Sequence, residues 1–246
     1  GSYGGILYKL TIRYFYNCSR NKEMSHIDNL EKTAGSLRDK KILDIGAGRG
    51  DFLLICAGRG YDAVGVEIND KKIADAQKNA RERNLPLNII KAEAEHLPFA
   101  DNTFDFANMG EVIEHVRDPE QVLKELYRVL RPGGKAYVSV HNRFGIYDTH
   151  FHLWFLGWIP RSWADSYVSI FSRHKDYVSA IDVQNIKDMH YFTFRQFHNI
   201  SSTVGFRITD IREGKINKKY GKIGIIILPT YKILLRLLRI KKLQVI

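Results

Sequence analysis

The segment ILDIGAGRGDF, residues 42–52, contains the first residues whose types and spacing predict chemistry. Glycines at alternate positions, beginning with Gly46 and Gly48, follow an apolar run that contains Asp44. A dinucleotide fingerprint, G-x-G-x-x-G, would have a third glycine where this chain has Asp51. Nearby acids repel a pyrophosphate, whereas Asp44 and Asp51 suit a ligand that carries an ammonium or sulfonium centre. The segment therefore predicts a site where the backbone closely approaches such a ligand.

Two further acids follow apolar segments that we expect to be strands. Glu67 ends the segment 62–67, where a carboxylate can accept hydrogen bonds from both hydroxyls of a ribose. Glu93 follows the segment 87–91, where it can accept a hydrogen bond from an adenine amino group. These two acids predict contacts with the ribose and the base of the same ligand.

The candidates for proton transfer lie in the sequence DTHFHLW and at the end of a predicted strand. His150 and His152 are candidates for a general base, because an unperturbed imidazole titrates near neutral pH. We favour His150, since Asp148 is two residues away and can orient it; His141 is a third candidate. The alternative is that the histidines hydrogen-bond within a lid and hold Trp154 in place.

A second cluster consists of Glu111, Glu114 and His115. In a helical turn, residue 111 shares a face with residue 114 or 115. Two carboxylates and an imidazole can hold a divalent metal such as Mg²⁺, which would lower the pKa of an acceptor. The alternative is that these residues shape a ligand pocket and pack their segment.

Strands alternate with helices along most of the chain, which predicts a parallel sheet with crossover helices in a doubly wound α/β fold. Asp70 and Thr193 are expected to cap helices, and Arg131–Gly134 to form the turn after another. The expected strands are 41–46, 62–67, 87–91, 104–109, 135–141, 206–211 and 223–228, and the expected helices 51–59, 70–84, 119–130 and 193–204.

An aromatic-rich insert interrupts the alternation after the fifth of these strands and contains all three tryptophans of the chain. A long segment between core elements is commonly functional, so we expect a lid over an apolar or ring-shaped acceptor, or a small core within the insert. The predicted organisation is an N-terminal helical or cap segment (1–35), a cofactor-binding core (36–143), the insert (144–190), completion of the core (191–229) and a basic amphipathic tail (230–246).

Five ordered motifs make the chain resemble class I S-adenosylmethionine-dependent methyltransferases, particularly those of the ubiquinone-pathway O-methyltransferase type. The resemblance implies a Rossmann-like, seven-stranded sheet and S-adenosylmethionine as the cofactor. In ubiquinone-pathway O-methyltransferases, residues that match the second cluster bind a metal. The motifs are ILDIGAGRG (42–50), VGVEI (64–68), AEAEHLPFADNTFD (92–105), EVIEHVRDP (111–119) and LYRVLRPGGKAYVSV (126–140).

The resemblance also implies a role for each matching residue. The methionine part of the cofactor would be held by Asp44, Gly46 and Gly48. The ribose would be held by Glu67, with Ile68 beside it. The remaining cofactor contacts would come from Glu93 and Ala94, which flank the adenine, and from Met109 and Gly110, which line the sulfonium side.

Composition and charge indicate the partners and the cellular location of the chain. The net charge is +11, which favours an anionic partner. The segment 230–243 alternates basic and aliphatic residues as a membrane-surface helix does, although it could also dock on the domain. Nucleic acid is the less favoured partner, because the basic residues alternate with aliphatic rather than aromatic ones. Two cysteines predict no disulfide framework, so we expect a cytoplasmic protein, peripheral at a membrane.

The expected function is methyl transfer from S-adenosylmethionine, most simply to an oxygen of a small lipid-like, lipid-linked or sugar-containing acceptor. Two alternatives stay open: a cofactor-binding partner protein without catalytic activity, and a nucleic-acid methyltransferase.

Overall fold

The computed structural model describes residues 8–13, 27–28, 31, 35–141, 143, 147–148, 151, 153–171 and 185–210. Its strands are β1 (Tyr8–Arg13), β2 (Lys41–Ile45), β3 (Asp62–Glu67), β4 (Ile89–Lys91), β5 (Phe104–Met109), β6 (Leu130–Ser139), β7 (Tyr147–Asp148), β8 (Leu153–Trp154) and β9 (Phe206–Asp210). Its helices are α1 (Asp51–Gly58), α2 (Asp70–Arg83), α3 (Pro119–Val129), α4 (Arg161–Phe171) and α5 (Phe194–Val204), with 3₁₀ turns at Leu156–Trp158 and Ile186–Asp188.

Seven strands form one sheet in the order β4-β3-β2-β5-β6-β1-β9, and each neighbouring pair is parallel. The chain builds outward from β2 through β3 to β4, then returns to the other side of β2 with β5. The carboxyl ends of β2 and β5 therefore border the crevice where ligands bind in doubly wound sheets. The predicted α/β Rossmann-like fold is confirmed.

The outer part of the sheet differs from the prediction. The predicted strand 223–228 lies outside the described residues, so the predicted seven-stranded arrangement is not confirmed. The N-terminal segment, expected to be helical, instead provides β1, which pairs with both β6 and β9. The sequence of β1, YKLTIR, alternates polar and apolar residues as a strand does, and this period was overlooked.

Helix starts follow local capping rules, with one correction. The side chain of Asn69, rather than Asp70, caps α2 by accepting hydrogen bonds from two backbone N–H groups. Asp118 caps α3, whose first residue is Pro119. The prediction for α5 is confirmed, because Thr193 forms a reciprocal capping box with Gln196.

Helix α3 ends at Val129, just before Arg131–Gly134, as predicted. These four residues do not form a separate turn, because they belong to β6, which begins directly after α3. The pairing of β6 with β5 shifts register between Phe104 and Phe106, so β6 has a bulge there. Gly133, with φ of 79°, supplies the positive backbone angle that a bulge commonly requires. The glycines typical of a turn therefore serve an irregular strand.

Two apolar layers cover the sheet, because successive strand residues face opposite sides. In β2, Ile42 belongs to the layer that contains α1, and Leu43 to the layer that contains α3 and α5. Cys56 of α1 packs in the first layer, and burial raises the pKa of its thiol. Cys56 is therefore a packing residue of this layer.

The described residues of the insert form a third cluster. The β7–β8 hairpin and α4 pack together around a small core that contains Phe151, Leu156 and Val168. Within the described residues, no helix is long and apolar enough to cross a membrane.

The close approach of α1 to β3 gives a stability prediction. A Cβ at Gly65 would lie 2.7 Å from the Ala47 Cβ and 2.6 Å from the Leu53 Cδ1, so Gly65→Ala should lower the free energy of unfolding by about 1–3 kcal/mol. Gly58→Ala is the matched control, because a Cβ there meets nothing within 4 Å and alanine favours the helix. Urea unfolding of both variants tests this, and equal stability would contradict it.

Candidate active site

The glycine loop joins β2 to α1 at the carboxyl edge of the sheet. The backbone N–H groups of Gly46 and Ala47 both donate to the Val66 carbonyl, each at 2.9 Å. A Cβ at Gly46 would overlap the side chain of Val112, whereas a Cβ at Gly48 would find no atom nearer than 4.0 Å. Gly46 thus allows two loops to pack, and Gly48 leaves open space beside the backbone.

Asp44 lies next to this loop and is held by a residue of the neighbouring strand. Asn108 of β5 pairs in register with Asp44 of β2 and donates its Nδ2–H to Oδ1 at 2.6 Å. Both side chains are buried, at the point where β2 and β5 border the crevice. The amide fixes the direction of the carboxyl group without supplying a positive charge, so a cationic ligand group can still be attracted there.

Glu67 ends β3 and connects the glycine loop to the next turn. Its Oε2 accepts from the Gly48 N–H at 2.9 Å, and its Oε1 accepts from the N–H groups of Ile68 and Asn69 at 2.9 and 3.0 Å. Each carboxylate oxygen has two lone pairs, so Oε2 retains capacity for a ligand hydroxyl. The adjacent Ile68 side chain is 54% exposed and offers an apolar surface beside it.

The other residues predicted to contact the cofactor lie after β4 and at the end of β5. Glu93 is exposed and Ala94 half-buried, both on the loop after β4. Arg128 of α3 fastens that loop by donating to the carbonyls of Leu97 and Phe99. Met109 is fully buried in the core, so only its backbone, with that of Gly110, can line the site.

The predicted metal cluster is not formed. No group of three or more His, Cys, Asp or Glu residues in the described part of the chain is arranged to hold a metal. Residues 111–115 form turns rather than a helix, and Glu111 has φ of 57°. Glu114 is fully buried, and its Oε1 lies 2.8 Å from His141 Nδ1 and 3.9 Å from His115 Nε2. These side chains do not fit a metal site, because the shared helical face assumed for them is absent.

Glu114 and His141 form a buried ion pair between the loop after β5 and the end of β6. His141 Nδ1 lies 2.8 Å from Glu114 Oε1. Burial alone would lower the pKa of His141, but Glu114, with smaller effects of Asp148 and Glu111, raises it to about 9. Burial alone would raise the pKa of Glu114, but the charge of His141 holds it below its ordinary value. His141 is therefore protonated at neutral pH, with its Nδ1 engaged by Glu114.

Tyr191 extends this pair toward the insert. Its ring stacks on that of His141, with centroids 5.4 Å apart, and the Arg161 guanidinium lies 4.3 Å from the Tyr191 centroid. Its hydroxyl donates to Asp148 Oδ2 at 2.8 Å. Burial and the nearby Asp148 raise the pKa of Tyr191, so its hydroxyl remains a donor at all ordinary pH values.

Asp148 accepts hydrogen bonds from two described residues. Its Oδ1 accepts from the backbone N–H of Phe151 at 2.8 Å and its Oδ2 from the Tyr191 hydroxyl, so the carboxylate links Phe151 to Tyr191. His150 and His152 lie outside the described residues, and their role as base stays a prediction. The predicted orientation of the His150 ring by Asp148 therefore stays a prediction as well.

Sequence reasoning missed Asn108, Ser139 and Tyr191. Asn108 interrupts an apolar strand, which is a signal for a buried polar contact. Ser139, at the end of β6, accepts from the Glu111 N–H at 2.5 Å and supports that residue's left-handed backbone. Tyr191 carried no signal, because its partners are distant in sequence.

Comparison with known proteins identifies related sequences. Residues 43–138 match a family model described as "Methyltransferase domain". The ubiquinone/menaquinone biosynthesis C-methyltransferase of Haemophilus ducreyi is 36% identical over 110 residues, which are 43% of this chain and 42% of that protein. The ubiquinone biosynthesis O-methyltransferase of Parvibaculum lavamentivorans is 32% identical over 152 residues, 59% of either chain. The chain thus spans about half the length of the curated relatives it matches.

Solved structures support the fold alone. The YcgJ protein of Bacillus subtilis superposes with a TM-score of 0.55 at 20% identity, over 76% of this chain and 70% of that one. A protein from Bacillus halodurans superposes with a TM-score of 0.53 at 16% identity, over 76% of this chain and 71% of that one. The arrangement of the sheet thus recurs in distant sequences.

The Glu114–His141 pair predicts a pH dependence of stability. The folded pKa of His141 is raised to about 9 from an ordinary 6.5, so its contribution is complete below pH 6.5 and is lost as the pH rises through 9. Wild type should therefore lose about 3 kcal/mol more unfolding free energy between pH 6 and 10 than the double variant Glu114→Gln with His141→Gln, in which neither member of the pair titrates. Urea unfolding across this range measures the difference, and parallel curves would refute it.

The contact between Tyr191 and Asp148 gives a second prediction. Tyr191→Phe leaves a buried carboxylate oxygen without this donor and should cost about 1–3 kcal/mol of unfolding free energy. It should also speed amide exchange at Phe151, whose N–H donates to the same carboxylate. Tyr167→Phe is the matched control, because the Tyr167 hydroxyl donates to the Trp154 carbonyl at an exposed position and its loss should cost under about 0.5 kcal/mol. Similar costs for both variants would contradict the assignment.

Proposed function

We propose that this chain, whose residues 43–138 form a class I S-adenosylmethionine-dependent methyltransferase domain, methylates an oxygen of a small lipid-like or sugar-containing acceptor. The observation that carries the proposal is the meeting of the Asp44–Asn108 pair, the open backbone at Gly48 and the carboxylate of Glu67 at one sheet edge.

The side chains at this edge fit the cofactor. Asp44 would pair with its ammonium group, and the backbone of Gly46 and Gly48 would lie along its methionine part. Glu67 would accept from the ribose hydroxyls beside the exposed Ile68. When bound, the cofactor supplies an electrophilic methyl group on a sulfonium centre.

The other ends of the cofactor would meet the two flanking loops. Glu93 and Ala94 would border the adenine on the loop that Arg128 fastens. The backbone of Met109 and Gly110 would border the sulfonium side, since Met109 directs its side chain into the core.

The acceptor must lose a proton when an oxygen is methylated, and His150 is our candidate to receive it, with His152 as the alternative. What supports this is that Asp148 and Phe151, which flank His150 in the sequence, are linked to each other and to Tyr191 by hydrogen bonds. A base is efficient only when its position is held.

The acceptor class draws support from the relatives and from the insert. The similar proteins from Haemophilus ducreyi and Parvibaculum lavamentivorans are named for carbon and oxygen methylation in quinone pathways. A ring-bearing, apolar acceptor also suits a site bordered by an aromatic segment. The basic amphipathic tail, residues 230–246, would bring the chain to an anionic membrane surface, where such acceptors reside.

Calorimetry with S-adenosylmethionine and S-adenosylhomocysteine tests the cofactor site. Asp44→Asn should weaken binding about tenfold or more, because a charge-assisted hydrogen bond to the ligand ammonium is lost. Asp62→Asn is the matched control, since Asp62 begins β3 at the opposite edge of the sheet and is exposed. No binding by the wild type, or equal binding by the two variants, would refute the assignment.

Methyl transfer itself is tested with cofactor labelled on the methyl group and an extract separated into lipid, glycan and nucleic-acid fractions. Label in an ether of a lipid or glycan is the expected result. Tight cofactor binding with no labelled product would instead favour the partner protein without activity.

A further inference from the structure

The insert presents an apolar surface to solvent. Eight large apolar side chains are exposed in the described part of the chain, and six of them lie between residues 154 and 171. We call these six the aromatic surface: Trp154, Phe155, Trp158, Trp163, Ile170 and Phe171, with exposed fractions of 44–71%. Apolar surface concentrated in this way commonly marks a site of contact with a partner or a membrane.

The aromatic surface is not needed to build the insert. Helix α4 buries Ala164 and Val168 against the small core of the insert, whereas Trp163 and Ile170, two turns apart, are 69% and 71% exposed. The helix is therefore apolar on two sides, and only one of them packs against the protein.

Tyr167 joins the two parts of the aromatic surface. Its hydroxyl donates to the Trp154 carbonyl at 3.2 Å, and its ring centroid lies 4.8 Å from that of Phe171. The side chains from the hairpin and from α4 are thus neighbours, and a single occupant can cover both.

The charges favour one occupant, an anionic bilayer. Asp165 is the one acid of α4, and its Oδ1 is engaged by the Ile186 N–H. In the sequence, Arg173 and Lys175 follow α4 within four residues. Residues 211–246 contain ten Lys or Arg and one Glu, a net +9 of the chain's +11. An exposed surface of tryptophan and phenylalanine on a chain of high net positive charge is typical of proteins that enter the headgroup region of acidic membranes.

We propose that the aromatic surface inserts into the headgroup region of anionic phospholipid bilayers and docks the chain there. The exposure of these side chains to solvent supports this role. The docking itself does not depend on the methyltransferase proposal. The consequence of docking for methylation rests on that proposal. The β7–β8 hairpin follows β6, so docking would bring the acceptor side of the sheet edge to the lipid.

The three tryptophans give a direct test, because Trp154, Trp158 and Trp163 are the only ones in the chain and all lie on this surface. Vesicles of phosphatidylglycerol and phosphatidylcholine should shift the emission of the full chain to shorter wavelength. Brominated lipids in those vesicles should quench it. Vesicles of phosphatidylcholine alone should give a weaker effect, since the basic residues then lack anionic partners.

A pair of variants retains all three fluorescent probes. The double variant Ile170→Ser with Phe171→Ser should bind these vesicles at least tenfold more weakly, since two large side chains lose their burial in lipid. Ile90→Ser is the matched control, because Ile90 is exposed on β4, in the core sheet, and should leave binding unchanged.

Two results would overturn the proposal. Flotation with vesicles without any change in tryptophan emission would show that the basic tail binds alone. The tryptophan emission could also shift to shorter wavelength as the protein concentration rises in the absence of vesicles. If light scattering then detects dimers, a second copy of the chain covers the surface. Cofactor calorimetry on the same preparation is independent of both, so failure of docking and failure of the proposed function can be distinguished.

Discussion

The buried ion pair between Glu114 and His141 is the interaction on which the acceptor side of the molecule depends. Burying two charges costs several kcal/mol each, which is recovered only when their positions are well fixed. The backbone fixes them: the His190 N–H donates to the Glu114 carbonyl at 2.8 Å, and the Phe192 N–H donates to the His141 carbonyl at 3.0 Å. Residues 190–192 thus cross-link the loops after β5 and β6, and Tyr191 between them reaches the insert.

The cofactor side depends on strand register instead. Asp44 and Asn108 meet because β2 and β5 are parallel neighbours in a register that pairs these two positions. A shift of one residue would direct each side chain to the opposite face of the sheet. The apolar residues on either side, such as Leu43 and Ala107, prevent that shift because they are already committed to the core. Core packing therefore sets the geometry of the polar site.

Sequence reasoning succeeded where the signal was local. The glycine loop, the strand ends at Asp44 and Glu67, and the capping box at Thr193 each depend on residues within a few positions of one another. It failed where partners are distant: Asn108 and Asp44 are 64 residues apart, and Tyr191 and Asp148 are 43 apart. No pattern of residue types states that such residues meet.

The metal assignment failed for a related reason. Spacing places Glu111, Glu114 and His115 on one face only if the segment is helical, and the structure has turns there. The exposed apolar side chains of the insert also depend on the local helical period. An apolar composition predicts burial, but the helical period of α4 places Ala164 and Val168 inward and leaves Trp163 and Ile170 outward. The direction of a side chain depends on this period, which composition does not contain.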